Sequence, residues 1–131
     1  MSAAAISTGI AKVGKPAPSF DMPSTKNLEK LNENVKLEDY KGKWVALVFY
    51  PLDFTFVCPT ELTAFSDRYS DFTSLNCELI GVSTDSVYSH RAWLQTPRDK
   101  NGIEGLKYPL AADMGGAVSR DYGVLIEEKG I

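Results

Sequence analysis

The chain has 131 residues, of which 44% are hydrophobic and 24% charged, and its formal net charge is −3 at pH 7. This length supports one hydrophobic core, so residues 1–131 are predicted to form a single domain. Lys and Arg are not clustered, which argues against a nucleic-acid partner, and no apolar run is long enough to span a membrane. Two cysteines and no secretory signal lead us to expect reduced thiols and a cytoplasmic location.

The first part of the chain is predicted to lead into one central strand. Residues 1–19 are expected to form a polar arm, with short strands at 20–22 and 35–37 and one helical turn after them. The apolar run at 44–50 is rich in β-branched and aromatic side chains, which is typical of a strand buried on both faces of a parallel sheet. Pro51 has no N–H to donate and is expected to end that strand.

A single helix is predicted over 59–75, after a short aromatic loop. Its apolar side chains follow one helical stripe, namely Leu62, Phe65, Tyr69 and Phe72. Cys58 is therefore expected where the central strand passes into the helix, at the carboxyl end of the strand. Open α/β sheets bind their ligands at that end.

The second half is predicted to alternate strands and helices. We expect a strand at 78–83, a helix from an N-cap within 84–86 to residue 95, a loop at 96–102, a strand at 108–112, a helix at 117–122, a strand at 124–126 and a turn at 127–130. This order predicts an α/β sandwich with parallel strands. Since a turn calls for a returning strand, we expect the N-terminal part of a longer protein, with the last strands and a helix missing.

Cys58 is the strongest candidate for a reactive group. At a helix N-terminus, the helix dipole and free N–H groups favour a thiolate. Thr55 is close enough in sequence to place its hydroxyl beside the sulfur. Glu61 stands where a Cys-x-x-Cys pair has its second thiol, which disfavours a dithiol oxidoreductase. From spacing alone, a buried structural cysteine remains an alternative.

The segment from Phe49 to Glu61 resembles the active-site segment of typical two-cysteine peroxiredoxins. It carries the pattern Pro-x-x-x-Thr-x-x-Cys in Pro51, Thr55 and Cys58. Similar residues continue at Ala64-Phe65-Ser66-Asp67-Arg68, Asp85-Ser86, Ser89-His90, Ala92-Trp93, Thr96-Pro97 and Asp121-Tyr122-Gly123-Val124-Leu125. The resemblance covers nearly all of residues 10–131 and implies a thioredoxin-like fold, with a mixed sheet flanked by helices.

The resemblance also implies the thiol-dependent reduction of hydrogen peroxide and organic hydroperoxides, an antioxidant function. Cys58 would be the peroxidatic cysteine, which attacks the O–O bond and becomes a sulfenic acid. Thr55 would hydrogen-bond the sulfur and the peroxide, and Pro51 would shield the pocket. Backbone N–H groups near the cysteine, including that of Val57, would hold the peroxide oxygens. Glu61 would brace a nearby arginine.

No metal or organic cofactor is expected from the resemblance. The implied electron donor is a thioredoxin or a dedicated disulfide reductase. The implied assembly is a homodimer, and residues 85–90 match a region through which such dimers join into a ring such as a decamer. The family's active-site arginine, at the start of the strand after the turn, and its resolving cysteine would both lie beyond Ile131. Two alternatives remain: a non-catalytic holdase that exposes apolar surface, and a chain that aggregates through an open sheet edge.

The remaining candidates are predicted to be structural. Cys77 is expected to be a core thiol, and Trp93 a packing residue of its helix. His90 has no acidic or thiol neighbour in sequence, so it is expected on the surface with no metal cluster around it. Arg120 is expected to be a solvated helix charge. Residues 101–106 match the Gly-Gly-Leu-Gly loop of the family only loosely.

Overall fold

The computed structural model of the chain describes residues 10–55, 58–128 and 130–131, and for Cys58 it describes the backbone alone. Strands and helices alternate through most of this length, with 3₁₀ turns at Leu37–Tyr40 and Arg98–Lys100. In chain order the elements are β1 (Asp21–Pro23), β2 (Asn34–Lys36), β3 (Trp44–Phe49), α1 (Cys58–Asp67), α2 (Tyr69–Ser74), β4 (Cys77–Ser83), α3 (Val87–Leu94), β5 (Leu110–Ala112) and α4 (Ala117–Asp121). None of the helices in the described ranges is long and apolar enough to cross a membrane.

The central sheet has three parallel strands in the order β3-β4-β5. Its register places Phe49 opposite Val82 and Val82 opposite Ala111. β1 and β2 form an antiparallel pair, and an antiparallel bridge between Ser24 and Ala111 joins this pair to the edge at β5. The predicted α/β architecture, a mixed sheet flanked by helices, is confirmed.

The alternation of side chains along β4 builds one core on each face of the sheet. On one face Leu79 belongs to a cluster with Leu62 of α1 and Trp93 of α3. On the other face, Ile80 and Val82 belong to a cluster completed by Phe20, Met22, Val35, Ala111 and Val118. Each large side chain buried in this way contributes roughly 1.5–3 kcal/mol. The first core therefore holds α1 and α3 against one face of the sheet, and the second packs α4, through Val118, against the other face.

Several predicted boundaries are confirmed to within one or two residues. The strands expected at 20–22 and 78–83 and the helix expected at 117–122 are present. The helix expected after 84–86 is α3, whose N-cap is Ser86, and its hydroxyl accepts a hydrogen bond of 3.2 Å from the N–H of Ser89.

The prediction of one helix over 59–75 was wrong, because the chain breaks it into α1 and α2 at Arg68. The N–H of Arg68 donates to the carbonyls of both Ala64 and Phe65, each at 3.2 Å, and its carbonyl accepts from the N–H of Asp71 at 2.9 Å. The Arg68 side chain also pairs with the Asp71 carboxylate. These bonds tighten the backbone to an i to i+3 pattern, while the predicted apolar stripe still faces the first core.

Two predictions about strands also need correction. β3 is not buried on both faces, since Trp44 is 75% exposed and residues 45–49 are only partly buried. Within the described sheet β3 pairs with β4 alone, so its other edge is open. The strand expected at 124–126 is reduced to a single bridge between Ile126 and Gly130, which closes the predicted turn.

Candidate active site

Pro51 to Thr55 belong to the loop that leads from β3 towards α1 at the carboxyl end of the central sheet. Pro51 is exposed and Thr55 is partly buried, and the Thr55 hydroxyl donates a hydrogen bond of 3.1 Å to the carbonyl of Leu52. Phe54 has a φ of 62°, a conformation that costs roughly 1–3 kcal/mol for a residue other than glycine. A strained loop of this kind persists only where its surroundings fix it.

Cys58 is the first residue of α1, a helix of ten residues. The partial positive charge of a helix N-terminus stabilises an anion placed there, including a thiolate. Val57 and the side chain of Cys58 lie outside the described residues. The predicted contacts of Thr55 and Val57 with the sulfur and with a peroxide therefore stay predictions.

Asp53 anchors the middle of the loop, and the sequence analysis did not identify it. Its Oδ1 accepts a hydrogen bond of 2.7 Å from the hydroxyl of Tyr50, and its Oδ2 lies 2.8 Å from Nδ1 of His90. Its backbone N–H donates to Oδ2 of Asp85 at 2.8 Å. A carboxylate within an apolar, aromatic segment is the one sequence signal that indicates such an anchor, because buried charges need partners.

His90 is buried with 0% of its side chain exposed, so the prediction of a surface histidine was wrong. Its Nε2 lies 2.9 Å from the carbonyl oxygen of Ala111, and because a carbonyl only accepts, Nε2 carries a proton. The other ring nitrogen, Nδ1, faces Asp53, and the imidazole lies in the core between α3 and β5. The pair of Asp53 and His90 could not be predicted from local sequence patterns, because the two residues are 37 positions apart.

Tyr50 and Tyr108 complete the polar framework around the loop and α1. Burial, and then the nearby carboxylate of Asp53, raise the pKa of Tyr50 well above its ordinary value, so it donates as a neutral hydroxyl. Burial also raises the pKa of Tyr108, whose hydroxyl donates to the carbonyl of Leu62 in α1 at 2.8 Å. Trp93 is fully buried, as predicted for a packing residue.

Glu61 is exposed on the first turn of α1 and lines an apolar groove of about 610 Å³ along α1 and α2. Arg68 lines the same groove, but it pairs with Asp71. No ion pair of Glu61 occurs within the described part of the chain. The predicted role of Glu61 as the brace of an arginine stays a prediction.

The other candidates lie away from the loop. Cys77 is a free, partly buried thiol at the start of β4, opposite Trp44, so it is less buried than a core thiol. Arg120 forms an exposed ion pair with Glu127 at 2.9 Å, which agrees with the predicted surface charge. Across the described ranges, no three His, Cys, Asp or Glu side chains are grouped so that they could hold a metal ion.

Comparison with known proteins connects this geometry to one family. The AhpC/TSA family profile matches residues 13–131. Peroxiredoxin-2 of Bos taurus is 56% identical over 121 residues, which are 92% of this chain and 60% of that protein. The putative peroxiredoxin YkuU of Bacillus subtilis is 56% identical over 124 residues, 91% of this chain and 67% of that protein. The chain thus spans about three fifths of the length of the bovine relative.

Solved structures give the same result. The reduced 2-Cys peroxiredoxin of Plasmodium vivax matches with a TM-score of 0.81 and 42% identity, over 91% of this chain and 73% of that one. AhpC of Enterococcus faecalis matches with a TM-score of 0.77 and 41% identity, over 86% of this chain and 64% of that one. The predicted thioredoxin-like fold of the peroxiredoxin type is therefore confirmed.

Proposed function

The chain belongs to the AhpC/TSA family, and on that premise we propose that it is a thiol-dependent peroxidase that reduces hydrogen peroxide and organic hydroperoxides through Cys58. The observation that carries the proposal is the anchored loop between β3 and α1. It ends at the N-terminus of a ten-residue helix that begins at Cys58, and it carries Pro51 and Thr55 in the family's pattern.

In the proposed reaction, the Cys58 thiolate attacks one oxygen of the peroxide. An S–O bond forms as the O–O bond breaks, and the leaving oxygen takes a proton to become water or an alcohol. The sulfur loses two electrons and becomes a sulfenic acid, and the peroxide gains them. A second thiol then condenses with the sulfenic acid to a disulfide and releases water. A thioredoxin or a dedicated disulfide reductase would reduce that disulfide.

The helix N-terminus alone cannot supply the rate of a dedicated peroxidase. A thiol with an ordinary pKa of about 8.5 is already roughly one tenth ionised at pH 7.5, so complete ionisation gains only about tenfold. A lower pKa also reduces the nucleophilicity of the thiolate. The remaining acceleration must come from fixed groups that stabilise the leaving oxygen. The hydroxyl of Thr55 and the backbone N–H groups at Val57 and Cys58 are the candidates, with Pro51 as a shield.

The proposed setting follows from the same family. We place the protein in the cytoplasm as a homodimer, with dimers able to join into a ring such as a decamer, and with no nucleic acid, membrane or metal ion involved. Peroxides are its substrates and a disulfide reductant is its protein partner. Glu61 is proposed to brace a nearby arginine.

The rate of the first step tests the proposal. A Cys77→Ser background leaves Cys58 as the single cysteine. Stopped-flow tryptophan fluorescence reports on the loop through Trp93, because the Trp93 and Phe54 ring centroids are 5.9 Å apart. We expect hydrogen peroxide to add one oxygen to Cys58, by intact mass, several orders of magnitude faster than to a free thiol. Cys58→Ser should abolish the signal. A rate equal to that of free cysteine would refute peroxidase activity for this chain.

A second candidate function is a non-catalytic holdase. The apolar groove along α1 and α2, lined in part by Phe65, Phe72 and Leu75, favours this alternative because large exposed apolar patches bind other proteins. Protection of a heat-denatured client enzyme that is unchanged by Cys58→Ser and lost in Phe72→Ser would support it. Absence of protection by the wild type would exclude it.

A further inference from the structure

Asn101 joins the active-site loop to the buried side of α3. Its side-chain Nδ2 lies 3.2 Å from the carbonyl oxygen of Thr55, and because a carbonyl only accepts, the amide must donate this bond. The backbone carbonyl of Asn101 in turn accepts a hydrogen bond of 3.0 Å from Nε1 of Trp93. The residue therefore connects the last described position before α1 to a fully buried indole.

The backbone of Asn101 is fixed by its own turn, independently of Thr55. Its φ of 64° and ψ of 27° place it in the left-handed region after the 3₁₀ turn at 98–100, a region that asparagine tolerates better than most residues. The N–H of the following Gly102 donates to the Pro97 carbonyl at 2.9 Å, and a Cβ at Gly102 would collide with the carbonyl of Thr96. The turn thus presents the Asn101 amide as a preset donor.

Trp93 strengthens the same connection through its ring. Its centroid lies 5.9 Å from that of Phe54 and 5.8 Å from that of Tyr50. The loop is therefore held twice, at Asp53 by Asp85 and His90, and at Phe54 and Thr55 by Trp93 and Asn101. The second attachment fixes the end of the loop nearest the reactive helix terminus, where Phe54 has its strained backbone.

We propose that Asn101 is a positioning residue for the peroxide reaction, which sets the backbone of Thr55 and with it the hydroxyl that the proposed function assigns to the reacting sulfur. The inference rests on the proposed function. Asn101 would affect the reaction rate through the geometry of the loop and would not change the ionisation of Cys58. Loss of the Asn101 amide should slow attack on peroxide, which needs the aligned Thr55, more than simple alkylation, which needs only the thiolate.

Two substitutions remove the amide and keep the turn. Asn101→Gly retains the left-handed backbone, which glycine adopts freely, and Asn101→Asp retains the shape but puts an acceptor against the Thr55 carbonyl. Asn76→Gly is the matched control, because Asn76 also has a positive φ, of 58°, and donates from Nδ2 to a carbonyl, that of Gly42, at 2.8 Å. Asn76 lies at the opposite end of the sheet, before β4.

Three quantities are measured on the full chain: the rate of Cys58 oxidation by hydrogen peroxide, the rate of its alkylation by iodoacetamide, and amide hydrogen exchange at residues 53–55. We expect both Asn101 variants to lower the oxidation rate about fivefold to tenfold, the effect of one ordinary hydrogen bond. Alkylation should change less than about twofold, and exchange at 53–55 should accelerate by a similar factor to the oxidation loss. Asn76→Gly should leave all three unchanged.

Equal oxidation rates and equal exchange in Asn101→Gly and Asn76→Gly would overturn the inference. Parallel losses of oxidation and alkylation would also overturn it, because they would indicate a general effect on the thiolate. A wild type that reacts no faster than free cysteine would refute the proposed function instead. The exchange comparison then still decides whether Asn101 holds the loop.

Discussion

Removal of His90 should be far more costly than its lone position in the sequence indicates. His90 and Asp53 have 0% and 1% of their side chains exposed and lie 2.8 Å apart. Loss of one partner of a buried pair leaves the other desolvated and unpaired, which costs about 3–5 kcal/mol. His90→Ala should therefore remove a large part of a typical total stability of about 5–15 kcal/mol.

The comparison with Asp53→Asn separates the pair from the packing of the imidazole. The asparagine still accepts from the hydroxyl of Tyr50 and buries no charge, so we expect a loss of about 1–3 kcal/mol. The double variant should cost less than the sum of the single losses by about 0.5–3 kcal/mol. Tyr88→Ala, an exposed position on the same helix, should cost at most about 1 kcal/mol.

Urea unfolding at pH 7, followed by tryptophan fluorescence, measures the stability of all four variants. If His90→Ala proves too unstable to purify, the coupling can be measured with His90→Gln in its place. A loss below about 1 kcal/mol for His90→Ala, within the range of ordinary surface substitutions, would refute the buried pair. Strict additivity of the single losses would refute the contact between Asp53 and His90.

Three further predictions concern pH, the open edge and the core. Burial raises the pKa of Tyr69 to about 12 and that of Tyr122 to about 12, above about 10 in an unfolded chain. The stabilising contribution of these two tyrosines is full below pH ~10 and is lost between about pH 10 and pH 12. Replacing both with Phe should therefore make the urea midpoint fall less steeply over that pH range. An equally steep fall in the variant would contradict this prediction. Trp44→Lys, on the open and exposed end of β3, should reduce self-association measured by light scattering, since a charge blocks edge pairing. Equal scattering by the wild type and the variant would argue against self-association through the edge of β3. In Gly81→Ala the new Cβ would lie 2.6 Å from Cδ2 of Leu110, so thermal unfolding should show a loss of about 1–3 kcal/mol, and an unchanged midpoint would show that Leu110 yields freely.

The features that the sequence predicted correctly are those that depend on a few neighbouring residues. β4 and α3 follow from an apolar run and from an N-cap at Ser86, and the position of Cys58 at a strand-to-helix junction follows from the same local patterns. The break at Arg68 was missed because neither glycine nor proline marks it, and the i to i+3 backbone bonds of Arg68 show it only in the structure. The burial of His90 depends on a partner that only the assembled sheet brings near.

The site shows why the reactive loop needs partners from distant parts of the chain. The described residues 51–55 of this loop, with an exposed proline and a strained Phe54, bury too little apolar surface to order themselves, so directional bonds must fix them. Those bonds come from Asp85, His90 and Asn101, on three segments that meet only once β3, β4 and α3 are packed. A motif search finds the cysteine, but its reactivity is expected to depend equally on these distant residues. Substitutions at any of them should alter peroxide reactivity while leaving every residue of the motif in place.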